Sequence, residues 1–372
     1  MPKCFLVAAS FRRSDNNTIG AMYRRVAEHW AGAGHRVILV NDGRRPGEDA
    51  FDGRLLMRSW PSVRPTGLAD FQFLRRLLAR HRPDCLISNY GADNICQLAG
   101  WLARVPGRVL WHHTPTSQDR LDFGKSSLRH RWLVARKRWL YRLPTHFVCG
   151  STHTREDLLQ TFGVPPAKIS QRRYLLPDPQ RAAPVAVTRD PFRILFTGRF
   201  HPSKGHEFLI RALPRLAAAF PALEVDFVGD GPIRGEIEAL ASQLGVDQHC
   251  RFHGQVKHLH TVFEMAGRSA LAVAPSLDEG FGLILIEAMG MGTPLVASDI
   301  PPFRGILTPG EDSLLAPPCD TEALGAALHR LLGDPALRER LGTGARENFL
   351  AKFSTEQNAA AQADFFEALI PS

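Results

Sequence analysis

A chain of 372 residues, 44% of them hydrophobic, has apolar material for two cores of ordinary domain size, and no stretch of it approaches the ~20 apolar residues of a membrane span. Six cysteines (Cys4, Cys85, Cys96, Cys149, Cys250, Cys319) are scattered without a C-x-x-C pair or metal-ligand spacing, which excludes a disulfide framework and points to buried thiols in a reducing cytosol. The net charge of +9 is uneven: residues 1–180 hold 29 Lys and Arg against 14 Asp and Glu, residues 181–372 hold 17 against 23, so the first half is the one that suits an acidic partner; no nucleic-acid motif accompanies it.

The first residues, MPKCFLVAASFRR, place six apolar residues before charge returns, which reads as a first strand and is too short for a signal peptide. Short apolar runs then alternate with helical stretches: a helix through Val26 to Trp30, GHRVILV, DCLISNY, RVLWHH and HFVCGS. That alternation predicts a parallel sheet. Residues 41–67, rich in Gly, Pro and Arg, read as an irregular loop, and the run RVLWHHTPTS sets His112 and His113 at a strand end stopped by Pro115. Between Arg120 and Arg142 lie eight Lys or Arg and one Asp, interleaved with Trp132, Leu133, Trp139 and Leu140. Such a helix either lays tryptophan and arginine on an anionic headgroup surface or packs its apolar face on its own domain. Four prolines between Pro177 and Pro191 mark a linker, after which a second alternating series begins. Near the end, Ser354 and Gln357 offer a capping box for a last helix.

The second series carries the chemistry. Phe192 to Gly205 reads FRILFTGRFHPSKG, a strand and then a loop with Arg199 and Lys204, and ligands of parallel sheets bind beyond such carboxyl ends. Arg with Lys suits a diphosphate. PSLDEGFGLILIEAMGMGTPLVAS, from Pro275 to Ser298, places Glu279 and Glu287 eight residues apart around Gly280 and Gly282, with a helix opening near Leu283. The glycines let backbone approach a ligand, and the first N–H groups of the helix face an anion. Each glutamate can accept vicinal hydroxyls, on opposite sides of that anion.

These segments, with VDFVGDGPIRGEIEAL and RFHGQVKHLHTVFEMAG between them, resemble in order and spacing the E-x7-E, G-R-x-x-x-K-G (here with one extra residue before the lysine), G-x-G-P and F-x-G features of the retaining family-4 glycosyltransferases. The resemblance implies an α/β fold of two Rossmann-like doubly wound parallel-sheet domains facing across a cleft (GT-B). Residues 1–180 are expected on the acceptor side, 181–353 to bind the nucleotide sugar, and 354–372 to form a helix returning to the first domain. It implies transfer of a sugar, a hexose, from a UDP- or GDP-linked donor to a glycan or lipid-linked acceptor, with retention by front-face attack, at the cytoplasmic membrane face. Arg199 and Lys204 would stabilise the leaving group, Phe281, Gly282 and Leu283 would contact the donor through their backbones, Glu279 would hold the transferred sugar and Glu287 the ribose. His113, followed by Thr114, matches the family's strand-end histidine better than His112. No Asp-x-Asp occurs, so no metal and no cofactor are expected.

Two segments depart from the family. Where relatives have Gly-Gly opening the first helix, this chain has SDNNTIGA, with Gly20 its one glycine and Asp15, Asn16 and Asn17 before it; RRYLLPD stands where relatives have P-N-G. A sugar-nucleotide epimerase or glycan phosphorylase on the same architecture, and a catalytically silent subunit of a polysaccharide assembly complex, stay open as other readings.

Overall fold

A computed structural model describes residues 1–9, 17–41, 53–63, 65–124, 128–182 and 188–371; in the helix at 128–140 the side chains of 128–131 and 133 are not included. The chain forms two compact units: residues 1–116, 125–175 and 355–372 make the first, and 117–124 with 176–354 the second.

Among the described residues the first unit is built on seven strands, β1 (Cys4–Ala9), β2 (Arg36–Asn41), β3 (Leu55–Ser59), β4 (Cys85–Asn89), β5 (Gly107–His112), β6 (His146–Cys149) and β7 (Ile169–Gln171), in the order β3-β2-β1-β4-β5-β6-β7. All pairings are parallel. β1, β2 and β4 are buried on both faces, which is why they read as near-continuous apolar runs. β3 falls within the segment expected to be loop. Its Leu55 and Met57 are buried while Leu56 and Arg58 are only partly so, an alternation of an edge strand three apolar residues long and easily lost in a Gly/Pro/Arg-rich stretch; residues 42–52 and 64 of that segment lie outside the described residues. The last helix, Thr355–Ala368, belongs to this unit: Phe366 is fully buried against the rings of Tyr23, Trp30 and Trp111, and Trp30 Nε1 donates to the Ala363 carbonyl at 3.3 Å.

The second unit has six parallel strands, β8 (Asp190–Thr197), β9 (Glu224–Val228), β10 (Cys250–Gly254), β11 (Ser269–Ala274), β12 (Leu295–Ser298) and β13 (Ser313–Ala316), in the order β10-β9-β8-β11-β12-β13. The helix His206–Ala219 presents Leu209, Ile210, Leu213 and Leu216 as one stripe to a core shared with Ile194, Phe196, Val225 and Phe227. The strand order reverses at β8/β11, and ligands of open parallel sheets bind beyond the strands' carboxyl ends at such a reversal. The two loops that leave β8 and β11 are the ones that carry Arg199, Lys204 and Glu279.

Candidate active site

The loop after β8 runs through Gly198 and Arg199 to a short turn, Pro202–Lys204, and stops at Gly205, whose φ of 70° starts the helix His206–Ala219. A Cβ on Gly205 would stand 1.9 Å from the Pro275 carbonyl oxygen, so only glycine lets this loop lie against the one after β11. The Leu277 N–H donates to the Ser203 carbonyl at 2.8 Å and closes the contact. Lys204 Nζ meets Glu279 Oε1 there, and Ser276 Oγ donates to the same oxygen at 3.1 Å. Glu279 is buried, 7% exposed, so Lys204 and Glu279 share an ion pair largely shielded from water.

The same loop brings Phe281 into the core and ends on Gly282, whose φ of 115° and a would-be Cβ 2.6 Å from the Phe303 ring explain the second glycine. The helix Leu283–Gly290 opens there without a side-chain cap and without an acidic residue in its first turn, so positive backbone potential is not neutralised from within. Glu287 lies one turn further, partly exposed.

Arg199 is more than half exposed, with Nη2 3.7 Å from Asp122 Oδ2. Asp122 also accepts the Ser203 N–H at 3.1 Å and stands 3.7 Å from His201 Nδ1. It comes from Ser117–Gly124, a stretch of the first half of the chain that belongs to the second unit. Sequence reasoning did not single it out. The signal was present: Asp122 is the one acid in the cationic run Arg120 to Arg142. Burial, and after it the charge of Arg199, holds His201 below the usual histidine range. His206, stacked at 4.1 Å on Phe200 and 4.3 Å from Phe196, is pushed by burial down to about 3, so it is neutral at physiological pH.

In the first unit, Gly20 is the third residue of the helix Thr18–Gly32, and its N–H is committed to Asn17 Oδ1 at 2.7 Å. Asp15 and Asn16 lie outside the described residues. His112, the last residue of β5, bridges Asp157 Oδ2 (2.9 Å) and the Tyr141 hydroxyl (3.1 Å). Burial opposes charge on Asp157, but hydrogen bonds from His112, Thr161 and Thr116 outweigh it and hold its carboxyl below the usual range. His112 thereby fastens β5 to the helix Thr152–Gln160. His113 is held on both ring nitrogens, with Tyr174 Oη 2.6 Å from Nδ1 and Asn89 Oδ1 3.0 Å from Nε2. An amide oxygen only accepts, so Nε2 carries the proton and Nδ1 accepts from the tyrosine. Burial and the neighbouring His112 keep this ring neutral. Both ring nitrogens of His113 are thus taken by protein partners.

Two Rossmann-like parallel sheets, the second with cations, carboxylates and an uncapped helix at its switch point, make up the two-domain GT-B architecture. Residues 19–171 match the model described as Glycosyltransferase Family 4, and residues 180–348 match Glycosyl transferases group 1; the chain belongs to the family-4 glycosyltransferases. It is similar to a phosphatidyl-myo-inositol mannosyltransferase of Mycobacterium leprae (strain TN), 43% identical over 151 residues that make 40% of this chain and 39% of the relative. The match thus spans well under half of that relative's length. Among solved structures, a sucrose-phosphate synthase from Thermosynechococcus elongatus superposes with a TM-score of 0.76 at 21% identity, covering 99% of both chains. HepE of Anabaena in complex with UDP and glucose gives 0.76 at 16% identity, covering 98% of this chain and all of that one. At such identities these two establish the fold alone.

Proposed function

We propose that this protein is a retaining glycosyltransferase that moves a hexose from a UDP- or GDP-linked donor to a glycan or lipid-linked acceptor, without a metal ion. One observation carries the reading: Arg199, Lys204, Glu279 and the N-terminus of the helix Leu283–Gly290 converge at the switch point of a single parallel sheet. The donor diphosphate lies across the backbone of Phe281, Gly282 and Leu283 and takes Lys204 away from Glu279, which frees that carboxylate to accept hydroxyls of the transferred sugar. Glu287 accepts from the ribose. Asp122 keeps Arg199 and the Ser203 N–H in place until the diphosphate arrives. As the bond from C1 to the phosphate oxygen breaks, the electron pair leaves with the diphosphate, and Arg199, Lys204 and the helix meet the growing charge, usually the largest catalytic contribution. The acceptor oxygen bonds to C1 from the same face, and its proton passes to the departing phosphate. Two cations and a helix terminus supply the positive charge that a metal supplies elsewhere. His113 is the first unit's candidate to meet the transferred sugar, and Gly20 its candidate near the diphosphate.

The protein works at the cytoplasmic membrane face. Among the described residues no helix is long and apolar enough to cross a membrane, whereas Leu128–Leu140 leaves Trp132 and Trp139 more than half exposed, two turns apart, with Arg136 5.0 Å over the Trp132 ring. Paired exposed tryptophans flanking an arginine fit an anionic headgroup layer. The proposed activity is tested by thermal shift with a panel of UDP- and GDP-sugars, followed by proton NMR of the sugar released or transferred from the best one. Stabilisation by one donor and an initial product of retained anomeric configuration are expected. Inversion, or no donor that stabilises, would overturn it.

A further inference from the structure

The second sheet has a cavity at its other end. It holds about 620 Å³, a volume that suits a small molecule, and is built from the amino ends of β8, β11 and β12, the residues just after the helix Leu283–Gly290, and one face of the helix Pro335–Lys352. The loops with Arg199, Lys204 and Glu279 leave the carboxyl ends of β8 and β11, so this space is separate from theirs.

Three half-buried arginines line it. Arg189 donates through Nη1 to the carbonyls of Ala266 (3.3 Å) and Ser269 (2.9 Å) and to Thr293 Oγ1 (3.0 Å), and through Nη2 to the carbonyls of Met291 (2.9 Å) and Gly292 (3.0 Å). Every one of these acceptors is neutral. Burial holds the group below the usual arginine range and no carboxylate opposes it, so Arg189 is a largely desolvated cation without a counter-ion. Arg346 donates through Nη1 to the Gly290 carbonyl at 2.6 Å, and Asp178 balances its charge. A Cβ on Gly292 would stand 3.6 Å from Arg346 Cβ and 3.8 Å from Arg189 Nη2, which puts these two arginines side by side. Arg338 lies on the same face as Arg346, earlier in the helix. Its Nη1 holds the carbonyls of Leu331 and Leu332, while Nε and Nη2, the edge that grips an oxyanion in two places, have no partner among the described residues. Glu339 and Glu347 also line the cavity, but both are exposed, and solvent screens them more than it screens the arginines. A buried cation without a counter-ion and a guanidinium edge without an acceptor, lining one cavity, call for an anion.

Position gives that anion a consequence. Arg189 and Arg346 together hold the carbonyls of Gly290, Met291 and Gly292, the end of the helix Leu283–Gly290, where cations complement the helix dipole. The opposite end of that helix, about 12 Å away at 1.5 Å per residue, is the one that meets the donor diphosphate in the reading above.

We propose that this cavity binds a small molecule carrying a phosphate or carboxylate group, gripped by Arg338 and attracted by Arg189, and that its occupancy weakens donor binding. The second half rests on the transferase reading. An anion draws Arg189 and Arg346 off the carbonyls at one end of the helix and sets negative charge behind the positive end that meets the diphosphate.

The test is isothermal titration calorimetry of the full chain with glycerol 3-phosphate, citrate and, as the uncharged control, glycerol. The proteins are wild type, Arg338→Gln, Glu339→Gln and Lys204→Met. At least one anion, and not glycerol, should bind; which of them binds tells a phosphate ester from a carboxylate. Arg338→Gln should weaken that binding about tenfold, as loss of hydrogen bonds to a charged group does. Glu339→Gln should tighten it, and Lys204→Met should leave it as in wild type. If Arg338→Gln melts below wild type, Thr343→Asp, which brings a carboxylate to the cavity lining without removing a hydrogen bond, replaces it. Binding of neither anion would overturn the site, and so would binding lost in Lys204→Met but kept in Arg338→Gln, because the anion would then sit on the donor loops. Coupling is read by titrating UDP- and GDP-sugars with and without saturating anion. A donor Kd raised about fivefold by the anion is expected in wild type and not in Arg338→Gln. An unchanged Kd, or the same rise in both proteins, would overturn the regulation. Anion binding without donor binding keeps the cavity and removes the transferase reading; donor binding without anion binding does the reverse.

Discussion

Lys204 and Glu279 form an ion pair whose side chains are 14% and 10% exposed. Lys204→Met therefore removes one charge of a mostly desolvated pair and leaves Glu279 ionised with the Ser276 hydroxyl as a donor. Breaking such a pair from one side costs about 3 kcal/mol. For a unit of this size each kcal/mol moves the midpoint by roughly 2–4 °C, so the second unit's transition should fall by about 6–12 °C. Adding Glu279→Gln removes the stranded charge, and the double variant should regain about 2 kcal/mol relative to the sum of the single changes. Activity should behave differently. Lys204→Met is expected to lower kcat/KM by at least about 100-fold, as loss of a group that meets transition-state charge does, and the double variant should recover none of it. The measurements are urea or thermal unfolding of the four proteins and donor turnover on the same samples. Strictly additive stabilities would refute the buried pair. Turnover restored in the double variant would refute the role given to Lys204.

Three further outcomes follow from the same geometry. Transfer should survive EDTA, and loss of activity that Mg²⁺ or Mn²⁺ restores would show that Arg199 and Lys204 do not neutralise the diphosphate unaided. His206, neutral in the fold and held down at about 3, contributes stability that is full above the unfolded value of 6.5 and is lost as pH falls from there toward 3, about 2 kcal/mol by pH 5. His206→Phe, which keeps a flat ring between Phe196 and Phe200, should flatten unfolding against pH between 7 and 5; an unchanged slope would mean that other groups set it. Trp132→Ser, Arg136→Gln and Trp139→Ser combined should weaken co-sedimentation with anionic liposomes, and wild-type binding should fade with salt, each surface cation being worth about 1 kcal/mol. No binding by wild type at low salt would leave the helix Leu128–Leu140 without that role.

What was legible in the sequence was whatever depends on local chain geometry. The positions of β8 and β11 follow from apolar runs buried on both faces, and the two loops from glycines whose absent Cβ atoms are demanded by the Pro275 carbonyl and the Phe303 ring. Lys204 and Glu279 meet because neighbouring strands of a parallel sheet bring their following loops together whatever the number of residues between them, whereas Arg199 and Glu287 were joined to them by family resemblance. The sequence was silent where a contact depends on distant side chains meeting. Asp122 stands out as the one acid of a cationic run, but that does not show that it accepts the Ser203 N–H, 81 residues away. Nothing near His113 shows that Tyr174 and Asn89, 61 and 24 residues distant, take both its nitrogens. Tyr90 is hidden for another reason: its φ of 56° contradicts what its side chain prefers, and local propensity assigns such a residue to the wrong conformation. A sheet can hold one residue in an unfavourable conformation when its neighbours fix the chain on both sides, as β4 and the helix Asp93–Leu102 do here. Departure from propensity at such a residue is a tertiary effect, which a local reading of the sequence does not register.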